Sequence, residues 1–150
     1  MSWSKLLATW FGAGLAPFAP GTAGSLVAAL IAWPIALVFG HWALLPLGLV
    51  LGLAAVPISG AYARECSRGD PSECVIDEVA GQWIACAFAP ATLLSFLLAF
   101  LLFRFFDITK IWPISAAEKF EGGLGIVADD IVAGIIAGLI MLLLVYAGYL

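Results

Sequence analysis

Four long blocks without a charged residue dominate the sequence and restrict what the chain can fold into. They are Gly21–Gly40, Trp42–Ala63, Val79–Phe103 and Ile131–Leu150, and each is close to the roughly 20 residues with which a helix crosses the hydrocarbon core of a bilayer. Because lipid offers the backbone no hydrogen-bond partners, all four blocks are predicted to be helical. We therefore expect an all-α, integral membrane helical bundle.

The composition agrees with a membrane location. The chain has 150 residues, of which 64% are hydrophobic and 11% charged, and its mean hydropathy is +1.13, whereas soluble domains are about half apolar and a quarter charged. The formal net charge of -4 argues against a nucleic-acid partner, which would need a basic face. No repeat or linker divides residues 1–150, so we expect a single domain.

The third block is interrupted at Pro90–Thr92, which leaves two arms of about 11 to 13 residues. At 1.5 Å per residue neither arm spans a core of about 30 Å. Four simple crossings would place the charged segments Arg64–Glu78 and Arg104–Asp130 on opposite faces of the membrane. A re-entrant helical hairpin would instead place all six Lys and Arg residues on one face. The positive-inside tendency favours the hairpin, with that face in the cytoplasm.

Two helix starts are predicted next to the charged clusters. Asp70-Pro71-Ser72-Glu73 has a capping acid, a proline at the first helical position and an acid three residues after the cap, and therefore predicts a helix from Pro71 to about Phe88. Asp129-Asp130 follows the flexible turn Glu121–Gly125 and is predicted to open the last apolar helix, whose N-terminus would tolerate anions.

Six acids flank or enter the apolar helices, where carboxylates persist mainly when they are paired, bound to metal or functional. Asp70 is explained equally well as a helix cap. Two adjacent acids at one helix start exceed the single cap required, and a pair inside a helix needs no cap at all. Carboxylate oxygens suit Mg²⁺. All six are candidate metal ligands (Asp70, Asp77, Glu78, Asp107, Asp129 and Asp130), and four of them are candidate catalytic residues (Asp77, Glu78, Asp129 and Asp130).

Two cations are candidate ligands for a phosphate group. Arg104 and Asp107 lie one turn apart, which is compatible with a structural ion pair beside an interfacial Lys110. In the alternative interpretation Asp107 binds metal, while Arg104 or Lys110 holds phosphate oxygens.

The segment Gly21-Thr22-Ala23-Gly24-Ser25, which opens the first block, also has two interpretations. Thr22 and Ser25 could help to bind a phosphate on the backbone N–H groups of a helix N-terminus. The same small residues could instead allow close helix packing, which we consider the better explanation of the segment taken alone.

The histidine and cysteine content of the chain limits the catalytic mechanisms that are possible. His41 is the sole histidine, the three cysteines form neither a CxxC pair nor a Cys-x5-Arg loop, and no DxDx motif occurs. These absences argue against phosphohistidine, thiol and aspartyl-phosphate mechanisms and against a zinc site. Metal-assisted hydrolysis of a phosphate ester remains the favoured interpretation. Competing classes are a small ion or proton transporter with the acids lining its pathway, and a structural scaffold in which the acids are dispensable.

Four motifs follow one another along the chain: GTAGSL at Gly21–Leu26, DPSECVIDEVAGQ at Asp70–Gln82, FRFFDITKIWPI at Phe103–Ile114 and EGGLGIVADDIVAG at Glu121–Gly134. Together they resemble the phosphatidylglycerophosphatase A family in order and content. The resemblance implies a magnesium-dependent phosphatase of phospholipid biosynthesis. Such an enzyme is a multi-pass protein of the bacterial inner (cytoplasmic) membrane and converts phosphatidylglycerophosphate to phosphatidylglycerol at a site facing the cytoplasm.

The resemblance also assigns the acids by motif. Asp70, Asp77 and Glu78 match the DP and DE acids of the family, Asp107 matches the acid of its FRxFD block, and Asp129-Asp130 match its DD pair. Ile111 departs from the pattern, because the family usually has a proline after the lysine. The departure affects the local backbone and leaves the set of acids unchanged.

Overall fold

The computed structural model describes all 150 residues. It contains seven α-helices and no β-strand, which confirms the all-α prediction. The helices are α1 (Trp3–Ala8), α2 (Pro20–Phe39), α3 (Leu44–Cys66), α4 (Ile76–Ala87), α5 (Leu93–Thr109), α6 (Ile114–Ala117) and α7 (Gly123–Tyr146). Short 3₁₀ turns at Ala13–Leu15 and His41–Ala43 precede α2 and α3.

Three helical segments are long and apolar enough to cross a membrane. They are Pro20–Phe39, His41–Cys66 and Gly123–Tyr146. Their outward faces carry large apolar side chains, among them Leu30, which is 64% exposed, and Leu53, which is 76% exposed. Such a surface is unfavourable in water and favourable in lipid, so the fold is that of an integral membrane bundle.

Helix α4 lies at the centre of this bundle, with α2, α3, α5 and α7 packed around it. Glu78 is the sole residue of α4 that is not fully buried. Small residues allow the neighbouring helices to approach closely. A Cβ added to Gly134 of α7 would lie 2.4 Å from the carbonyl oxygen of Gly81, and one added to Gly48 of α3 would lie 2.9 Å from a side-chain carbon of Ile84.

Helices α4 and α5 form the hairpin that the interrupted third block predicts. α4 ends at Ala87, and the chain reverses through residues 88–92. Nδ1 of His41 lies 2.7 Å from the carbonyl oxygen of Ala87, so the reversal reaches the depth of the α2–α3 connection. Gly138 packs against Phe88, and α7 continues for two further turns beyond that contact.

The charged clusters meet at one end of the bundle, as the hairpin topology requires. A Cβ on Gly21, at the start of α2, would lie 2.5 Å from Oε1 of Glu78, at the start of α4. A Cβ on Gly60, near the end of α3, would lie 3.4 Å from the backbone nitrogen of Gly123, at the start of α7. Ser4 of α1 bonds to the carboxylate of Glu65 at the same end. All six Lys and Arg residues therefore lie on one side.

The predicted start of α4 at Pro71 is wrong, because the helix begins at Ile76. The amide of Val75 donates to the carbonyl of Ala8, at 2.8 Å, and the amide of Cys74 donates to the carbonyl of Pro71, at 2.8 Å. The segment 71–75 is thus a turn tied to α1. Tertiary hydrogen bonding has overridden the local capping pattern.

The predicted start of the last helix at Asp129 is also wrong. α7 begins at Gly123, after Gly122 with φ +65°, and both aspartates lie nearly two turns inside the helix. They are fully buried, with Asp129 4% and Asp130 3% exposed. Neither aspartate is therefore a helix cap.

Candidate active site

Three carboxylates form a compact cluster at the charged end of the bundle. Asp77, Glu78 and Asp130 each offer one oxygen, and these three oxygens lie within 4.8 Å of one another. Asp77 and Glu78 are in the first turn of α4, and the contact between Gly81 and Gly134 holds α4 against α7 at the depth of Asp130. The two helices thus bring together acids that are more than 50 residues apart in sequence.

The cluster lacks the hydrogen-bond partners that buried carboxylates normally have. Oδ1 of Asp77, Oε2 of Glu78 and Oδ1 of Asp130 are buried and have no partner. Buried carboxylates that are neither paired nor hydrogen-bonded are strongly unfavourable. A hard cation would relieve this cost, because Mg²⁺ takes carboxylate oxygens as ligands. The donor set therefore fits a divalent ion of the magnesium type.

Arg104 and Asp107 of α5 flank this cluster. The two form a half-buried ion pair one turn apart, as one of the two sequence interpretations predicts. Asp107 faces Asp130 closely enough for the carboxyl groups to interact. The guanidinium of Arg104 lies beside Gly21 and Glu78, and its Nε has no hydrogen-bond partner. Arg104 therefore has a buried N–H donor without a partner next to the acids.

Lys110 bridges two further acids. Its Nζ donates to Oδ2 of Asp129, at 2.6 Å, and to Oε1 of Glu118, at 3.0 Å. Partial burial by itself lowers the pKa of Lys110, but the hydrogen bonds and negative charges of Asp129 and Glu118 outweigh burial and raise that pKa above its usual value. Lys110 is thus a fixed cation, and one of its three N–H donors is not used in these bonds.

The adjacent acids Asp129 and Asp130 point to different surroundings, since successive helical positions differ by about 100°. Asp130 joins the carboxylate cluster. Asp129 accepts from Lys110 through Oδ2 and from the amide of Asp130 through Oδ1. Both oxygens of Asp129 are therefore already bonded within the protein, so the geometry sets Asp129 apart from the carboxylate cluster.

An acidic cleft of about 340 Å³ opens beside Lys110. Asp70, Glu118 and Asp129 line it, together with Gly69 and Gly122. Asp70 is exposed in this cleft and is not one of the three clustered acids. Of the six acids predicted as metal ligands, the structure brings three into the cluster, places Asp107 beside it, and places Asp70 and Asp129 in the cleft.

The two hydroxyl residues of α2 take different positions. Oγ of the buried Ser25 donates to the carbonyl of Gly21 at 2.8 Å, so this hydroxyl is used within the helix, in agreement with the packing interpretation. Thr22 is half-buried beside Gly21 in the first turn of α2, and no hydrogen bond occupies its hydroxyl. Gly21 itself permits the close approach of Glu78 and Arg104.

Two residues near the site were not among the candidates predicted from the sequence. Gln82 is fully buried one turn after Glu78, and its Oε1 has no partner. Its i+4 spacing from Glu78 was a usable signal. Glu118 reaches Lys110 across a loop, and no periodicity in the sequence indicates that contact.

Comparison with known proteins gives a consistent family assignment. The family model "Phosphatidylglycerophosphatase A" matches residues 6–145. A Bacteroides thetaiotaomicron protein named "Putative phosphatidylinositol-3-phosphatase" is 40% identical over 142 residues, covering 87% of this chain and 86% of that protein. The proteins named "Phosphatidylglycerophosphatase A" from Escherichia coli K12 and Haemophilus influenzae are 39% and 35% identical, covering 88% and 94% of this chain and 77% and 88% of theirs.

No solved structure matches the chain significantly. The family model nevertheless covers nearly the whole sequence, and it includes the three clustered acids, Arg104 and Lys110. The chain belongs to the phosphatidylglycerophosphatase A family.

Proposed function

We propose that this protein is a membrane lipid phosphatase that hydrolyses the terminal phosphate of phosphatidylglycerophosphate, with Mg²⁺ as its cofactor, to give phosphatidylglycerol and inorganic phosphate. The observation that carries the proposal is the buried and unpartnered cluster of Asp77, Glu78 and Asp130, which lies beside two cations at one end of a membrane bundle. The family and the names of two relatives support this substrate.

The clustered acids are the proposed metal ligands. A divalent ion held there would lower the pKa of a water molecule and neutralise charge on the transferred phosphoryl group. Asp107 lies beside Asp130 and keeps Arg104 in place through their ion pair. Asp77 and Asp130 are fully buried and Glu78 is the one of the three that is not, and we assign to Glu78 the role of accepting a proton from water.

Two cations are the proposed phosphate-binding groups. Lys110 has a free N–H donor and is held by Asp129 and Glu118, and Arg104 has an unpartnered Nε. Charge-assisted hydrogen bonds from these groups would hold the phosphate oxygens while the bond from phosphorus to the glycerol oxygen breaks. Asp129 acts in this scheme through Lys110, as a positioning residue.

The site is proposed to face the cytoplasm of the bacterial inner membrane. All six Lys and Arg residues lie at the charged end of the bundle, and none lies at the opposite end. The positive-inside tendency supports a cytoplasmic position for this end.

An ion or proton pathway is less well supported. Such a pathway needs polar groups through the depth of the membrane. Apart from Lys5, no charged residue precedes Arg64, and none follows Asp130. The acids are therefore confined to one end of the bundle, and the apolar half contains none.

The test is phosphate release by the purified protein in detergent with excess Mg²⁺. Phosphatidylglycerophosphate is compared with phosphatidylinositol 3-phosphate, the substrate class in the name of the Bacteroides relative. We expect the highest kcat/KM with phosphatidylglycerophosphate. Faster hydrolysis of the inositol lipid would reassign the substrate, and no release from either lipid would contradict the proposed function.

A further inference from the structure

An apolar groove opens towards the lipid between α3 and α7. Its volume is about 440 Å³, and its walls include Leu49, Leu53 and Val56 of α3 and Leu124 and Ala128 of α7. Gly52 forms part of its floor, where a Cβ would lie 2.8 Å from the side chain of Ile131. The absence of a side chain at Gly52 thus leaves room for Ile131 at the base of the groove.

A basic groove of about 520 Å³ continues from this apolar groove at the charged end. Gly60, Arg64, Arg68 and Gly122 line it. Val56 lies one turn before Gly60 in α3, and Leu124 follows Gly122 closely at the start of α7. Arg68 is paired with Glu73, whereas Arg64 is exposed and has no carboxylate partner. Its charge is available to an anion outside the protein.

The basic groove also adjoins the acidic cleft of the active site. Gly69 and Gly122 line both spaces, and Asp129, which binds Lys110, also lines the cleft. The apolar groove, the basic groove with the unpaired Arg64 and the cleft beside Lys110 therefore follow one another in this order. A phospholipid with a second, terminal phosphate has the same order of groups: acyl chain, phosphodiester and phosphomonoester.

We propose that the phospholipid substrate enters between α3 and α7, with an acyl chain in the apolar groove and its phosphodiester at Arg64, so that its terminal phosphate reaches Lys110. This inference rests on the proposed lipid phosphatase function and adds the route and the headgroup contact. Arg64 is in this arrangement a substrate-binding residue that discriminates diphosphorylated from monophosphorylated lipids.

The other apolar groove, between α2 and α5, fits the substrate less well. It has a volume of about 140 Å³ and is lined by residues such as Leu30, Trp33 and Leu97. The volume of the α2–α5 groove is about a third of that of the α3–α7 groove, and no residue of α2 or α5 lines the basic groove around Arg64. The α2–α5 groove therefore serves as the control surface.

Photocrosslinking tests the route without requiring turnover. The probe is phosphatidylglycerophosphate with a diazirine in one acyl chain, irradiated with the full-length protein in detergent without added divalent cation. Mass spectrometry should find the label within residues 49–56 and 124–132. Labelling of residues 26–33 and 93–100, or equal labelling of both grooves, would overturn the proposed route even if the protein is a phosphatase.

Matched substitutions test the groove in the active protein. Ala128→Phe fills the α3–α7 groove, and Ala29→Phe is the same change in the α2–α5 groove. Ala128→Phe should lower kcat/KM about tenfold or more for long-chain phosphatidylglycerophosphate and much less for its dibutanoyl analogue, while Ala29→Phe leaves the ratio between the two substrates unchanged. Equal losses for both chain lengths would contradict the proposal. Leu53→Trp, on the opposite wall, replaces Ala128→Phe if that variant does not fold.

The headgroup contact is tested by Arg64→Gln against Lys119→Gln. Lys119 is likewise exposed and without an ion-pair partner at the charged end, but it lines neither groove. Arg64→Gln should raise KM about tenfold for long- and short-chain substrates with little change in kcat, because a charged hydrogen bond is lost in binding. Identical kinetics for the two variants would refute the role of Arg64.

Discussion

Replacing Asp130 by Asn tests the carboxylate cluster, because the change keeps the shape of the side chain and removes one charge. Asp130 is 3% exposed, and its Oδ1 has no hydrogen-bond partner. Its oxygen lies within 4.8 Å of those of Asp77 and Glu78. Two unit charges at that distance repel each other by about 3.5 kcal/mol at an effective dielectric constant of about 20.

This repulsion determines the expected effect of Asp130→Asn on the melting temperature. Asp130 takes part in two of the three pairs, so Asp130→Asn removes about 7 kcal/mol of repulsion from a fully ionised cluster without a bound cation. We therefore expect the variant to melt at or above the temperature of the unsubstituted protein in excess chelator. Magnesium should raise the melting temperature of the unsubstituted protein and should have little effect on the variant, because binding to the folded state stabilises it.

The activity of Asp130→Asn should fall, although its melting temperature should not. Loss of an anionic ligand should lower kcat at saturating Mg²⁺ about a hundredfold or more, which corresponds to about 2.7 kcal/mol of transition-state stabilisation. Glu121→Gln is the matched control, because Glu121 is an exposed acid at the same end and takes part in no ion pair. Near-normal turnover of folded Asp130→Asn, with an unchanged magnesium effect on melting, would refute the assignment of Asp130.

Three further experiments test the rest of the site and the fold. Lys110→Gln should lower kcat/KM by about ten- to a hundredfold, because a charged hydrogen bond to phosphate is lost. Magnesium should still raise the melting temperature of this variant. Loss of that magnesium effect would instead place Lys110 in the metal site. Gly134→Leu should prevent folding in detergent, because even its Cβ would lie 2.4 Å from the carbonyl oxygen of Gly81; a normal melting temperature would show that α4 and α7 are packed less closely. Single cysteines replacing Ser67 and Ser115 in a cysteine-free background should react with an impermeant maleimide from the same side of the membrane. A single cysteine replacing Tyr149 should react from the opposite side. Reaction of the Ser67 and Ser115 positions from opposite sides would support four simple crossings instead.

The helices and their hairpin were predictable because the relevant physical causes are local. Uncharged blocks of membrane length must be helical in lipid, and the break at Pro90–Thr92 divides the third block into two arms. The first arm, α4, is as short as predicted, whereas the second, α5, is longer because it continues past Phe103 to Thr109. The start of α4 was not predictable in the same way. The capping pattern at Asp70 is genuine, but the amide of Val75 is bonded to the carbonyl of Ala8, more than 60 residues earlier, and that contact exists only in the folded chain.

The site was predictable as a set of residue types and not as an arrangement. The position of the acids at the ends of apolar segments identified them as candidates, but adjacent positions in a sequence do not share surroundings in a helix. Asp129 therefore binds Lys110 while Asp130 joins the acids of α4. Which acids converge depends on the close contact between Gly81 and Gly134, and the motifs of either helix alone do not contain that information.

Binding of Mn²⁺ shows directly whether the carboxylate cluster holds a metal ion, since Mn²⁺ accepts the same oxygen ligands as Mg²⁺ and is detected by electron paramagnetic resonance. The purified protein in detergent is titrated with Mn²⁺ beside the double variant Asp77→Asn/Asp130→Asn. We expect the unsubstituted protein to remove the signal of free Mn²⁺ and excess Mg²⁺ to restore that signal. The folded double variant should leave the signal unchanged. Equal binding by the two proteins would contradict a metal site at Asp77, Glu78 and Asp130.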